Sequence, residues 1–442
     1  MRNSLHFIRL LACVSLFAGG ICQAVADDWP QWRGPKRDGV WRETGVVEKF
    51  GAEQLPIQWR AEIGSGYSGP TVADGRVYIT DRLTEPKQVE RVHCFDTATG
   101  KPVWSYTYDC PYEGVGYAAG PRAAVTIDEN RAYSLGAMGN LFCFDAATGA
   151  ILWQKDLKSL YNIQMPMWGI AAAPLIDGRR LILNVGGEHA CVVALDKVTG
   201  EEIWKALDDP AQYSAPIIIQ QGNQPVLVIW TGAGVVGLNP ETGAEYWREE
   251  MKPGHMPIGI ATPVTDGNRL FVSSFYDGSL MLRLTTDAQT GRPTAEQIWR
   301  KVGRDEQHTQ SLHCMIGTPI LEGDYVYGVD SYGQLRCLDA NTGERIWESQ
   351  QAVPKARWAT IHMVKNDDKV WMFNERGELL IGKLTPNGFE EISRTKLIEP
   401  TTVQLDQRGG VCWSHPAFAD RRVFARNDRE IVCASVAAGS AH

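Results

Sequence analysis

The 442-residue chain lacks the short motifs that most often mark catalysis. It has no Gly-x-Ser-x-Gly elbow, no His-Glu-x-x-His, no phosphate loop of the Gly-Lys-Ser/Thr type and no paired-Cys zinc spacing, which removes the commonest hydrolase, nucleotide and zinc readings. No Cys-x-x-Cys-His is present, so no haem is attached through that motif, and no two of the ten cysteines are adjacent. Positive charge is not in excess: 44 Lys+Arg stand against 52 Asp+Glu, net -8, which gives no footprint for a nucleic-acid backbone. No helical period of useful length appears, and after residue 26 no apolar run approaches the roughly 20 residues a bilayer demands. An apolar content of 44% is ample for a large core and excludes disorder. Gly232-Ala-Gly-Val-Val-Gly237 matches a dinucleotide fingerprint only loosely and reads as strand and turn.

The first 26 residues read as a signal peptide: Arg2 and Arg9 precede an apolar run, Leu10 to Ile21, that ends at Ala24-Val25-Ala26, an A-x-A cleavage site. Cys22 does not make a lipobox, because Ile21 stands where a small residue is needed. The expected mature protein is exported, without a transmembrane segment.

What the chain has in abundance is repetition. Cys94-Phe-Asp-Thr-Ala-Thr-Gly-Lys-Pro-Val-Trp104 recurs as Cys143 to Trp153, Ala194 to Trp204, Gly237 to Trp247 and Cys337 to Trp347, with a variant at Asp287-Ala-Gln-Thr-Gly291 carrying four extra residues before Trp299. Trp59, Trp104, Trp153, Trp204, Trp247, Trp299 and Trp347 are spaced by 45, 49, 51, 43, 52 and 48 residues. A further 45 reaches Ile392 in a degenerate seventh copy, and an eighth, Ser435 to Gly439, stops before any tryptophan. The strand around Trp59 lacks a turn phrase before it, so the two ends complete one another. Each period carries β-rich runs between Asp-Gly or Asn-Asp turns, and four strands per ~48 residues repeated eight times predicts an all-β, eight-bladed β-propeller. The expected organisation is a signal peptide (1–26), a Trp-rich preamble packing on the propeller (27–54) and the propeller itself (55–442), its last blade shared by N- and C-terminal strands.

In Asp-x-x-Thr-Gly the carboxylate can accept backbone N–H groups across a tight turn that Gly closes with φ > 0. The tryptophan four residues on can then lie against the neighbouring blade, so the seven tryptophans are expected to be structural. Cys94, Cys143, Cys337 and Cys433 occupy one equivalent slot in four blades, too far apart to bridge, and read as small buried apolar residues. Cys110, Cys191, Cys314 and Cys412 are left as possible pairs.

The repeat resembles the pyrroloquinoline-quinone (PQQ) enzyme repeat family, whose unit is A-x-D-x-x-T-G-x-x-x-W, matched position by position by Asp96, Gly100, Trp104 and their counterparts over residues 55 to 442. One branch comprises quinoprotein dehydrogenases; another comprises cofactor-free eight-bladed propellers such as the lipoprotein of the outer-membrane β-barrel assembly machinery. The preamble Trp29-Pro-Gln-Trp-Arg-Gly-Pro35 with Asp38-Gly39 also resembles the start of secreted PQQ-like propellers of planctomycete-type bacteria. The dehydrogenase branch implies PQQ, a calcium or lanthanide ion, a catalytic Asp and two adjacent disulfide-bonded cysteines, and the last feature is missing here.

Just before the opening strand of each unit stands an aromatic residue or a histidine: Tyr67, Tyr117, Trp168, Tyr213, His255, His313, Trp358 and Trp413. In a propeller these eight are expected to ring one mouth of the central channel, where planar side chains suit a flat ligand or a partner's inserted loop; the competing reading is that they plug the channel. The function expected is a non-enzymatic, monomeric binding or assembly scaffold of the cell envelope, with a protein partner, no metal and no cofactor. The alternative is a quinoprotein-like oxidoreductase using PQQ with Ca²⁺.

Overall fold

The computed structural model describes residues 27–51 and 53–439; the segment read as a signal peptide lies outside the described residues. Thirty-two strands form eight four-stranded antiparallel sheets arranged as the blades of a propeller. Blades 1 to 7 span residues 71–109, 126–156, 175–206, 217–250, 264–301, 320–349 and 361–396, each a run of hairpins from an inner to an outer strand. Blade 8 takes three strands from 417–435 and its fourth from Ile57–Glu62. A four-residue helical turn, Leu157–Leu160, is the one helix among the described residues.

Ring closure is antiparallel, with Trp59 opposite Cys433 and Glu62 opposite Glu430. A buried polar network reinforces it. Arg426 of blade 8, fully buried, donates to the carbonyls of Thr80 in blade 1 (3.0 Å) and of Gly64 in the connecting segment. Asp81 accepts the Gly64 N–H and is paired with Arg91 at 2.6 Å, so both charges and the backbone groups at the seam are answered.

The core is divided into layers between neighbouring blades, as where Tyr133, Leu135 and Leu141 of blade 2 pack on Leu181, Leu183 and Val193 of blade 3. The recurring phrase explains how these layers are registered. In each blade the third and fourth strands slip by one residue beside the tryptophan position, as between Cys94↔Trp104 and Phe95↔Pro102, and such a bulge re-aims the side chain it flanks. The re-aimed indole reaches the next blade's turn. Trp59 Nε1 donates to Thr97 O (2.8 Å), Trp104 to Ala146 O (3.0 Å), Trp204 to Pro240 O (3.1 Å) and Trp299 to Ala340 O (2.8 Å), each acceptor following the Asp or Asn of the phrase. The turn glycine lies under the ring: a Cβ at Gly100 would stand 2.5 Å from the Trp59 indole, and one at Gly149 2.5 Å from that of Trp104. These glycines are therefore required twice, by φ values of 66° and 74° and by the indole above them.

Two units depart from this pattern. The longer outer strands of blade 5, Gly278–Thr286 and Pro293–Lys301, carry Gly291 away from its neighbours, and Trp247 turns instead to Gln221 Oε1 at 3.1 Å, lying over Gly237 of its own sheet. In blade 7 the residue at the tryptophan position is Ser393, opposite Ile381, and not Ile392, which is the bulged residue beside it. Equal spacing alone misplaced that position by one residue. The preamble fills the space an indole would take: Phe50 N donates to Ser393 Oγ (3.0 Å), its ring meets Trp371 edge-on at 5.6 Å, and Val47 N donates to Val436 O of blade 8 (2.9 Å).

All eight cysteines among the described residues are free and buried, including Cys110, Cys191, Cys314 and Cys412, for which pairing had stood open. Cys94, Cys143, Cys337 and Cys433 each lie directly across the ladder from the indole-bearing residue, a place taken by Ala194, Gly237 and Met281 in blades 3, 4 and 5. Burial pushes the Cys94 and Cys143 thiols up to about 12, so they remain protonated and inert.

The preamble runs across one face of the ring. Trp29 exchanges backbone hydrogen bonds with Val72 of blade 1, Arg37 donates to the Ala173 and Pro174 carbonyls beside blade 3, Trp32 Nε1 donates to Thr262 Oγ1 (2.8 Å), and Trp41 N donates to Lys365 O of blade 7. Trp204→Ala and Phe50→Ala are each expected to lower stability by about 3–5 kcal/mol, the range for emptying a buried aromatic site. Ile392→Ala, which removes a half-buried chain from the bulge, is expected to lower it by clearly less. Urea midpoints of the three variants check the ordering, and an Ile392→Ala loss equal to that of Phe50→Ala contradicts it.

Candidate functional site

Each inner strand is entered through a loop from the preceding blade, and these loops gather over the channel on the face opposite the preamble's main path. Five of the eight residues singled out from sequence, Tyr67, Tyr117, Trp168, Tyr213 and Trp413, line a single cavity of about 140 Å³ there. Trp168 packs on Tyr213 at 5.2 Å and meets Tyr117 edge-on at 5.7 Å; Tyr117 in turn lies 6.3 Å from Trp413 and 6.1 Å from Trp358. Trp358 joins this cluster beside the lining, with the Arg357 guanidinium 4.3 Å over its ring.

Two of the eight do not join it. His313 is 1% exposed, its Nδ1 against Phe275 O (2.9 Å) and its Nε2 accepting from Gly303 N (3.1 Å), so it braces a loop. The long connection that follows blade 5 is pinned by the buried Asp330–Arg336 pair (3.0 Å), and Asp330 holds His313 N (2.7 Å), which turns the ring inward. His255 is exposed and rests on Tyr276 at 5.3 Å, outside the cavity lining.

The cavity also uses residues that the repeat could not reveal. Trp32 of the preamble forms its floor, edge-on to His415 at 4.6 Å, and Ala124, Ala173 and Ala215 leave the space that larger side chains would close. Ala173 and Ala215 each precede the proline before an inner strand, whereas Ala124 precedes Val125, so no single sequence signal marks all three. Arg122 is the one charged residue of the lining. Its guanidinium donates to the carbonyls of Gly116, Tyr117 and Gly120 and lies 5.1 Å over the Tyr67 ring, with no carboxylate partner among the described residues.

Buried polar groups hold the aromatics in place. Gln404 accepts from Trp413 N (2.7 Å) and donates to Gly66 O (2.7 Å), while Tyr67 donates its hydroxyl to Gln404 O (3.1 Å). Glu375, 2% exposed and paired with Arg408 at 2.8 Å, accepts from Trp413 Nε1 (3.3 Å). Tyr117 (φ 51°) and Trp358 (φ 66°) sit in the left-handed region, where bulky residues are rare and strain is stored. The surrounding contacts thus fix two rings in conformations the backbone alone disfavours.

The chain matches the family model described as outer membrane protein assembly factor BamB over residues 43–120, 90–349 and 294–442. The chain belongs to this family. BamB of Shewanella oneidensis is 26% identical over 208 residues, 46% of this chain and 50% of that protein. The quinoprotein ethanol dehydrogenase of Pseudomonas putida is 31% identical over 294 residues, 58% of this chain and 43% of that enzyme. The chain thus matches about half the length of these curated relatives. Among solved structures, BamB from Moraxella catarrhalis superposes with a TM-score of 0.58 at 19% identity, over 88% of this chain and 99% of that one. Quinohemoprotein alcohol dehydrogenase from Comamonas testosteroni gives 0.60 at 14%, over 94% and 81%. At these identities the structural likeness concerns the fold alone. Among the described residues no helix is long and apolar enough to cross a membrane.

His362 and His415 form the lower wall of the cavity, 6.2 Å apart, and burial pushes them down to about 4 and about 3. Both are neutral in the fold. Once the pH drops below about 6.5 the unfolded chain protonates them and the native one does not, so stability falls by about 1.4 kcal/mol per pH unit for each. That loss continues to about pH 4 for His362 and pH 3 for His415. Thermal midpoints are therefore expected to drop between pH 6.5 and 4, and His415→Gln to flatten the slope; an unchanged slope in that variant contradicts the assignment.

Proposed function

We propose that the protein is an exported, monomeric propeller scaffold of the cell envelope that serves outer-membrane assembly by receiving an apolar side chain of a partner in the aromatic cavity. The observation that carries this reading is the size and chemistry of the cavity. About 140 Å³ walled by tyrosine, tryptophan and alanine is close to the roughly 150 Å³ apolar cavity that admits a benzene ring. It falls below the ~300–1,000 Å³ typical of small-molecule sites. One aromatic or aliphatic side chain fills it, and Arg122 at the wall favours a partner segment with a carboxylate beside that side chain. Half-exposed Met167 and exposed Val403 extend the apolar surface around the mouth, and thioethers adapt readily to a partner's shape. The membership in the BamB family supports the assembly role.

The dehydrogenase reading has sequence relatives behind it. The lining does not fit a quinone with a cation: it contains neither Asp nor Glu to ligate a hard metal ion, and one arginine faces what would be three cofactor carboxylates. The residues that would be asked to take a substrate proton, His362 and His415, are held by Trp413 O and Gly69 N.

Replacing Trp168, Trp358 and Trp413 together by Ala is expected to reduce co-purification of the outer-membrane barrel-assembly complex at least fivefold in the native host, with circular dichroism unchanged. The purified protein with PQQ and Ca²⁺ is expected not to reduce an acceptor dye with alcohols or aldoses. Undiminished co-purification sinks the site, and Ca²⁺-dependent dye reduction overturns the scaffold reading.

A further inference from the structure

The preamble motif Trp29 to Gly39 has a job beyond covering the ring. The Trp29 indole lies on Gly34, where a Cβ would stand 2.9 Å away, and the Arg33 guanidinium lies on Gly39, where a Cβ would stand 2.5 Å from Nη2. Arg33 and Arg37 adopt φ of 62° and 56°, so the coil holds both arginines in conformations that L side chains rarely take. Together they face a cavity of about 460 Å³ at the mouth opposite the aromatic one, walled by the inner strands of blades 3 to 6.

The charges around this cavity do not balance. Its four acids are each answered: Asp38 by Arg42, Asp177 by Arg180 (2.7 Å), Asp266 by Arg269 (3.9 Å) and Glu322 by Lys365. Lys365 is thereby taken, and Arg33, Lys36 and Arg37 have no carboxylate partner among the described residues. Arg33 makes one hydrogen bond, from Nη2 to Asp38 O (2.9 Å), out of five N–H donors. Arg37, 6% exposed, gives its terminal nitrogens to Gln31, Ala173 and Pro174, and the Nε atoms of both arginines are buried without a partner. Burial lowers the two guanidinium groups to about 10 and about 9, outweighing the attraction of Asp38 on Arg33, and the charge of Arg33 further disfavours that of Arg37. A desolvated guanidinium fork with free donors recognises carboxylate and phosphate oxygens in preference to other groups.

We infer that Arg33, supported by Arg37 and Lys36, forms a binding site for a small free oxyanion, a phosphate or a short dicarboxylate, at the preamble mouth of the channel. The site is independent of the aromatic cavity, since it lies on the other face and shares no lining residue with it.

Isothermal titration of the full mature chain with inorganic phosphate and, separately, with succinate tests this at constant ionic strength set with NaCl. At least one of the two is expected to bind saturably with one site and to raise the thermal midpoint. Arg33→Gln is expected to weaken that binding at least tenfold, and Lys36→Ala, at an exposed position that leaves the fold untouched, by about two- to fivefold. Absence of saturable heat with both ions on the wild-type protein overturns the proposal. So does unchanged affinity in both variants, or binding confined to phosphatidylglycerol vesicles with none to the free ions.

Discussion

The contact on which the rest of the molecule depends is the indole of one blade lying on the turn glycine of the next. A four-stranded sheet with two apolar faces is not stable alone, and eight of them must be set at a constant angle for the ring to close. The indole supplies area, its N–H fixes direction by reaching the carbonyl after the turn's Asp, and the bulge before it turns the ring toward the neighbour. In four blades the residue across the ladder from the indole is a buried cysteine, and these cysteines lie in different blades and are free. Closure then places eight loops over one mouth, and the aromatic cavity follows from that convergence.

Where the contact is missing, other parts of the chain take its place. Blade 7 has Ser393 instead of an indole, and Phe50 and Val47 of the preamble bind the seam between blades 7 and 8. The preamble thereby joins the blades least able to hold one another, and its first part stoppers the channel with Trp32. One face of the channel becomes apolar and aromatic, the other cationic. The two faces suit different ligands, a side chain at one and a small anion at the other, and nothing in their linings requires them to be filled together.

The blade count and the shared last blade were legible because the indole–glycine contact needs a flat ring over a residue with φ > 0 and no Cβ, so Trp and Gly recur at that spacing in the sequence. Its exact position in blade 7 was not legible, since Ile392 and Ser393 differ by the one residue that a bulge absorbs. Of the mouth residues, Tyr67, Tyr117, Trp168, Tyr213 and Trp413 converge although their connections differ in length, because each connection enters an inner strand at the same face of the ring. His313 stands seven residues before its inner strand, as Trp168 does, and the bond from its backbone N–H to Asp330 of a buried ion pair, not its spacing, decides where it points. Trp32, His362 and His415 belong to three distant stretches that meet only when the ring closes, so their meeting at one cavity was not legible.

The central claim is that the aromatic cavity accepts one ring-sized side chain and not a quinone with its metal. A crystal of the protein soaked in parallel with indole and with PQQ plus Ca²⁺ tests it directly. Electron density for indole between Trp168 and Trp413, with none for PQQ in the channel, is the predicted result. Ordered PQQ stacked against these rings with a bound Ca²⁺, and no indole, would contradict it.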